Sequence, residues 1–199
     1  MSKIILWDWD NTLADTFGAI LVAQNVMRQA YNLSPWTKEE AKIAMNSSGR
    51  NLIKNLVGEE NASEIVLKEG AKEIVHITKE HGYINILASN KAGPILRNEV
   101  ETLSLTKFFD KIIGAEDFEH DKPSKEFTDS AINGYTIDEL YSVGDGKADI
   151  KMAHNYPNGK GILVWTDPNT PEFNEIKPDI VCSSLVDLKA ILTNQKQRS

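Results

Sequence analysis

At 199 residues, 41% of them hydrophobic, the chain suffices for one full core and is too short for two large domains. A net charge of -7 argues against nonspecific binding to nucleic acid or to an anionic membrane, both of which need clustered Lys and Arg. No run approaches the roughly 18 apolar residues of a membrane span, no signal peptide is evident, and the lone Cys182 lies in an apolar run, so a cytoplasmic protein with a buried, inert thiol is expected.

The first predicted element is a strand over Lys3–Trp7, which ends in Asp8 and Asp10. A helix follows over Phe17–Tyr31. Thr37-Lys38-Glu39-Glu40 has the form of a capping box before a helix through Met45. Ala71–His81 places Ile74, Val75 and Thr78 on one face and stops at Gly82, a residue suited to helix ends. A strand is expected over Tyr83–Ala88, and Pro94 opens a helix to about Leu103. Further strands are predicted over Lys111–Ile113, Leu140–Val143, Ile162–Trp165 and Asp179–Val181, with Ser124 and Ser184 as N-caps of two more helices. The interior runs are near-continuously apolar, as in strands covered on both faces. From residue 82 onward strands and helices alternate, which implies right-handed βαβ units and a parallel sheet. Residues 14–68 are almost all helical and exceed what one crossover needs. They are expected to form a small helical insertion, with residues 1–13 and 69–199 as the α/β core.

In an extended strand, residues two apart face the same way, so Asp8 and Asp10 start on one side with Trp7 and Trp9 on the other. Two carboxylates ~4 Å apart repel by about 4 kcal/mol at an effective dielectric near 20. Either a positive group sits there or one acid holds a proton. Ligands of open α/β sheets gather beyond the carboxyl ends of the strands. There the chain carries Ser89-Asn90-Lys91, Asp121-Lys122-Pro123 and Gly144-Asp145-Gly146-Lys147-Ala148-Asp149. Hydroxyl, ammonium and carboxylates gathered in one place suit phosphoryl transfer with a hard cation such as Mg2+.

These residues resemble the motifs of the haloacid dehalogenase superfamily. Asp8-Trp9-Asp10-Asn11-Thr12 is similar to its first motif, D-x-D-x-T, Ser89 to the second, Lys122 to the third, and Gly144-Asp145 with Asp149 to the fourth. The stretches LKEGAKEIVHITKEHGYINILASNK, ending at Lys91, and FFDKIIGAEDFEHDKPSKE are similar to phosphoglycolate-phosphatase-like members. The resemblance implies a Rossmann-like parallel sheet sandwiched by helices, with an α-helical cap inserted after the first strand. It implies a Mg2+-dependent phosphatase in which Asp8 becomes aspartyl phosphate and Asp10 acts as general acid and base. Lys122 would neutralise charge between Asp8 and the phosphate, and Thr12 would support the loop. Ser89, with Asn90 and Lys91 beside it, would line the phosphoryl and substrate site. Mg2+ would be held by the Asp8 carboxylate, the Asp10 carbonyl, Asp145 and Asp149. Asn11 replaces the commoner Gly and tolerates left-handed backbone.

The cap looks abbreviated, because Gly58–Lys68 leaves little room for a last pair of helices. A small lid would admit bulkier phosphates as well as phosphorylated small molecules. Arg50, in Ser47-Ser48-Gly49-Arg50-Asn51, is a candidate contact to the substrate's non-reacting end. A phosphotransferase or phosphomutase would use the same motifs. A non-enzymatic phospho-acceptor of the receiver type would need a further Asp where Ser89 stands, and has no counterpart of Asp145 and Asp149. An inactive binding scaffold would not keep every catalytic residue.

Overall fold

The computed structural model describes residues 2–45 and 65–194. A six-stranded sheet is built from β1 (Ser2–Trp7), β4 (Tyr83–Ala88), β5 (Lys111–Ile113), β6 (Ile137–Gly144), β7 (Gly159–Val164) and β8 (Ile180–Cys182). Its order is β5-β4-β1-β6-β7-β8, and every neighbouring pair is parallel. Helices α3 (Ala71–Glu80), α4 (Gly93–Thr102), α5 (Lys125–Ile132), α6 (Lys147–His154) and α7 (Leu185–Asn194) connect and flank the strands.

Strand β1 is apolar throughout its second half because both of its faces are covered. Ile4 and Leu6 pack with Ile86, Phe127, Ala131 and Met152. Ile5 and Trp7 face the opposite cluster, with Ile74, Val75, Leu96, Val100, Leu185 and Leu188. Full burial of each such side chain contributes about 1.5–3 kcal/mol. The chain steps from β1 outward to β4 and β5, then crosses to β6 on the other side of β1. That reversal opens a crevice at the carboxyl ends of β1, β4 and β6.

The expected strands all form; β4 and β5 keep the expected bounds and the other four have shifted ends. β6 starts at Ile137 and β7 at Gly159, before their apolar runs, because parallel pairing with a neighbour extends them. Helix α6 was not anticipated, since Gly144-Asp145-Gly146 reads as a turn. Cys182 is buried, and burial pushes its thiol up to about 11.

Two short strands, β2 (Ala14–Asp15) and β3 (Val66–Leu67), pair antiparallel. The chain therefore leaves the sheet and returns at one place, and Lys68 N–H donates to Leu13 O at 2.9 Å. Between them lie α1 (Phe17–Ala30) and α2 (Lys38–Met45). The capping box forms: Glu40 N–H donates to Thr37 Oγ1 and Thr37 N–H donates to Glu40 Oε2. Residues 46–64, including Arg50 and most of the abbreviated stretch, lie outside the described residues.

Asn85, fully buried on β4, ties sheet to helices. Its Oδ1 accepts from Trp7 Nε1 and Thr78 Oγ1, and its Nδ2 donates to the carbonyls of Val75 and Phe108. Asn85→Ala leaves several of these groups unsatisfied, at about 1–3 kcal/mol per buried group. We expect a loss of at least about 2 kcal/mol in urea-melt stability; a loss within about 0.5 kcal/mol would show that water replaces the amide.

Candidate active site

The site begins with a turn after β1. Asp8 N–H continues the sheet by donating to Val143 O at 2.9 Å. The amides of Thr12, Leu13 and Ala14 then converge on the carbonyl of Trp9, at 3.2, 3.1 and 3.0 Å. Closing this turn puts Asn11 in left-handed backbone, at φ 61°, as its residue type allows. Trp7 and Trp9 point together into the core, and Asp8 is left facing the crevice end, only 3% exposed.

Lys122 lies in the segment before α5. Its side chain is wholly buried, and Nζ donates to Asp8 Oδ1 at 2.7 Å, Asp149 Oδ1 at 2.7 Å and Ala88 O at 2.9 Å. Burial alone would lower its pKa, but the two carboxylates raise it further than burial lowers it, so it stays an ammonium. Thr12 Oγ1 donates to the other oxygen of Asp8, at 3.2 Å.

Asp149 sits in the first turn of α6. Its Oδ2 accepts from Gly146 N–H at 3.2 Å. Gly144 makes that placement possible: a Cβ there would lie 2.0 Å from Asp149 Cγ. Asp145 is held by its backbone, whose carbonyl accepts from Thr166 Oγ1 at 2.7 Å. Carboxylate oxygens of Asp8, Asp145 and Asp149 all lie within 4.8 Å of one another. The donor set is all hard oxygen, and the one ammonium of Lys122 offsets one of its three charges, so the residues fit a divalent cation of the Mg2+ type.

Ser89 is buried at the end of β4, and its Oγ accepts from Lys91 N–H at 3.1 Å. Asn90, beside it, exchanges hydrogen bonds with the Lys122 backbone: Lys122 N–H donates to Oδ1 at 3.0 Å and Nδ2 donates to Lys122 O at 3.3 Å. The Lys91 ammonium lies 3.0 Å from Asp10 Oδ1 and donates to both Glu99 oxygens. Burial works against the Lys91 charge, but Asp10 and Glu99 raise its pKa above the usual value. Burial pushes the Glu99 carboxyl up, against the pull of Lys91.

The structure thus brings together Asp8, Asp10, Thr12, Ser89, Asn90, Lys91, Lys122, Asp145 and Asp149, whereas Arg50 lies outside the described residues. The sequence reading missed Glu99 and Thr166. Glu99 carried a legible signal: it stands on the same stripe of α4 as buried Leu96 and Val100, where an acid is out of place.

Removing Lys122 strands two carboxylates in the interior, a loss of about 3–5 kcal/mol. We expect Lys122→Met to lose that much in chelator-treated urea melts; a loss below about 1 kcal/mol would show that Asp8 and Asp149 need no cation between them.

A family model for haloacid dehalogenase-like hydrolases matches residues 5–157. Pyrophosphatase PpaX of Bacillus cereus (strain AH820) is 28% identical over 131 residues, 65% of this chain, and the match spans 61% of that relative's length. The chain thus covers less than two thirds of the curated relatives it matches. A superfamily hydrolase from Ehrlichia chaffeensis superposes with a TM-score of 0.67 at 23% identity, covering 98% of each chain. One from Geobacter sulfurreducens superposes with 0.71 at 16% identity, over 94% of this chain and 100% of the other. These two likenesses speak to fold. The family match spans most of the chain and ends just past the last carboxylate of the cluster. The chain belongs to the haloacid dehalogenase-like hydrolases.

Proposed function

We propose that this chain is a phosphatase that hydrolyses phosphate monoesters by way of a phosphoryl group carried on Asp8. The observation that carries this reading is the buried Lys122 ammonium joining Asp8 to Asp149. It sets a positive charge 2.7 Å from Asp8 Oδ1 and aims that carboxylate, as a nucleophile requires, in a place where solvent does not compete. The PpaX relative, by its name a pyrophosphatase, supports phosphoryl hydrolysis and adds inorganic pyrophosphate to the candidate substrates.

In the first step an Asp8 oxygen attacks phosphorus and the bond to the leaving oxygen breaks. Asp10 gives that oxygen a proton. In the second step Asp10 takes a proton from water, the water oxygen bonds to phosphorus, and inorganic phosphate leaves Asp8. Ser89 holds the phosphoryl oxygens, Lys122 offsets charge between Asp8 and the phosphate, and Thr12 braces the Asp8 carboxylate. Mg2+, held by Asp8, Asp145, the Asp10 carbonyl and Asp149, would neutralise charge on the phosphoryl oxygens. Both Asp149 oxygens already accept hydrogen bonds, which favours Asp149 as the residue that orients Lys122 beside the ion site. Residues 14–68 form a small cap whose strands β2 and β3 are its stalk. A small cap admits bulkier phosphates; Arg50, the sequence's candidate for the far end of the substrate, lies outside the described residues. No helix among the described residues is long and apolar enough to cross a membrane.

A panel of phosphate esters, a phosphopeptide, a nucleotide and pyrophosphate, assayed with Mg2+ and with chelator, tests this. Wild type should release inorganic phosphate only with Mg2+, Asp8→Asn should release none, and Asp10→Asn should lose roughly 10²–10⁴ in kcat. Full turnover by Asp8→Asn contradicts the mechanism, and strict action on one small metabolite contradicts the open cap.

A further inference from the structure

Asp10 is tied into a network that begins and ends in its own loop. The Lys91 ammonium lies 3.0 Å from Asp10 Oδ1. It donates to Glu99 Oε1 and Oε2 at 2.8 and 2.7 Å. Glu99 Oε2 in turn accepts from the indole of Trp9 at 2.6 Å. Trp9 stands between Asp8 and Asp10 in the chain, so the network leaves the loop through one side chain and returns through the next. The Glu99 side chain is 4% exposed, on an apolar face of α4. An interior ion pair seldom adds net stability over apolar packing of the same volume, so keeping one here points to a task other than holding the fold together.

The geometry points to Glu99 as a positioning residue for Asp10: it fixes the Lys91 ammonium and thereby sets the orientation from which Asp10 hands a proton to the leaving oxygen. This rests on the phosphatase reading. In that step the bond from Asp8 to phosphorus forms, the bond from phosphorus to the ester oxygen breaks, and the proton moves from the Asp10 carboxyl to that oxygen. The proton matters most when the departing oxygen is basic, as in ethyl phosphate. It matters little when the departing group is a stable phenolate, as in p-nitrophenyl phosphate. A general loss of structure lowers both reactions alike.

The test compares kcat/KM for the two esters in wild type, Asp10→Asn, Glu99→Gln, Lys91→Met and the double variant Lys91→Met/Glu99→Gln. Glu99→Gln and Lys91→Met should each lower the ethyl phosphate value about tenfold more than the p-nitrophenyl phosphate value, the same bias that Asp10→Asn shows. In the Lys91→Met background, Glu99→Gln should add less than about twofold, because it acts only through Lys91. The double variant removes both charges together, so the ester comparison stands even where one single variant buries a lone charge and unfolds. Equal losses on the two esters, or a Glu99→Gln effect undiminished by Lys91→Met, overturn the positioning role and leave the phosphatase reading standing. If Asp10→Asn itself shows no bias between the esters, the assignment of Asp10 fails, and that earlier reading with it.

Discussion

Everything at the crevice depends on one buried ammonium. Lys122 reaches the ends of three separate parts of the chain: Asp8 after β1, Ala88 at the end of β4 and Asp149 in α6. An ammonium taken out of water costs several kcal/mol, and only close, well-directed oxygens offset that. Here each of its three protons has an acceptor within 2.9 Å. The same interaction that makes the lysine tolerable inside the protein brings two aspartates together. Structure and chemistry therefore share one constraint: the sheet order that sets β1 between β4 and β6 is also the order that assembles the charge cluster.

Around Lys122 the backbone is fixed from several directions. Asn90 fixes the lysine's own main chain from β4. Gly144 leaves the space that Asp149 occupies, and Gly114 does the same for the loop opposite, where a Cβ would meet the Gly93 backbone at 2.4 Å. Thr166, beyond β7, holds the Asp145 carbonyl. Each contact is modest, but the parts come from different strand ends, so the geometry is set by the sheet rather than by any one loop. That is the form of preorganisation that stabilising developing charge requires.

Much of this was legible in the sequence. The strands showed as apolar runs because a parallel sheet covered on both faces demands them, Asp8, Asp145 and Asp149 showed as charges just past their ends, and Lys122 showed at the start of a helix. What stayed hidden had physical reasons. β2 and β3 are two residues each, too short for any periodicity. The start of α6 carries the signature of a turn, because Gly146 and Asp149 serve both as helix cap and as site. Asn90 and Lys91 stand beside Ser89 in the chain, but their partners, the Lys122 backbone, Glu99 and Asp10, lie far off in sequence, and no local pattern points across those distances. The link from Trp9 to Glu99 spans 90 residues and joins an indole to an acid on an apolar face, which only the fold brings together.

Asp8 and Asp149 share the Lys122 ammonium, and carboxylate oxygens of Asp8, Asp149 and Asp145 lie within 4.8 Å of one another, close enough to gather round one hard cation. The mild acidity of the chain as a whole is unrelated to this local concentration, which a cation would draw on directly. Binding of Mn2+, followed by electron paramagnetic resonance with wild type and Asp145→Asn, tests that claim most directly. One ion per chain in wild type, displaced by Mg2+ and lost or much weakened in Asp145→Asn, is the predicted result. Equal Mn2+ binding by both proteins, or none by either, would contradict it.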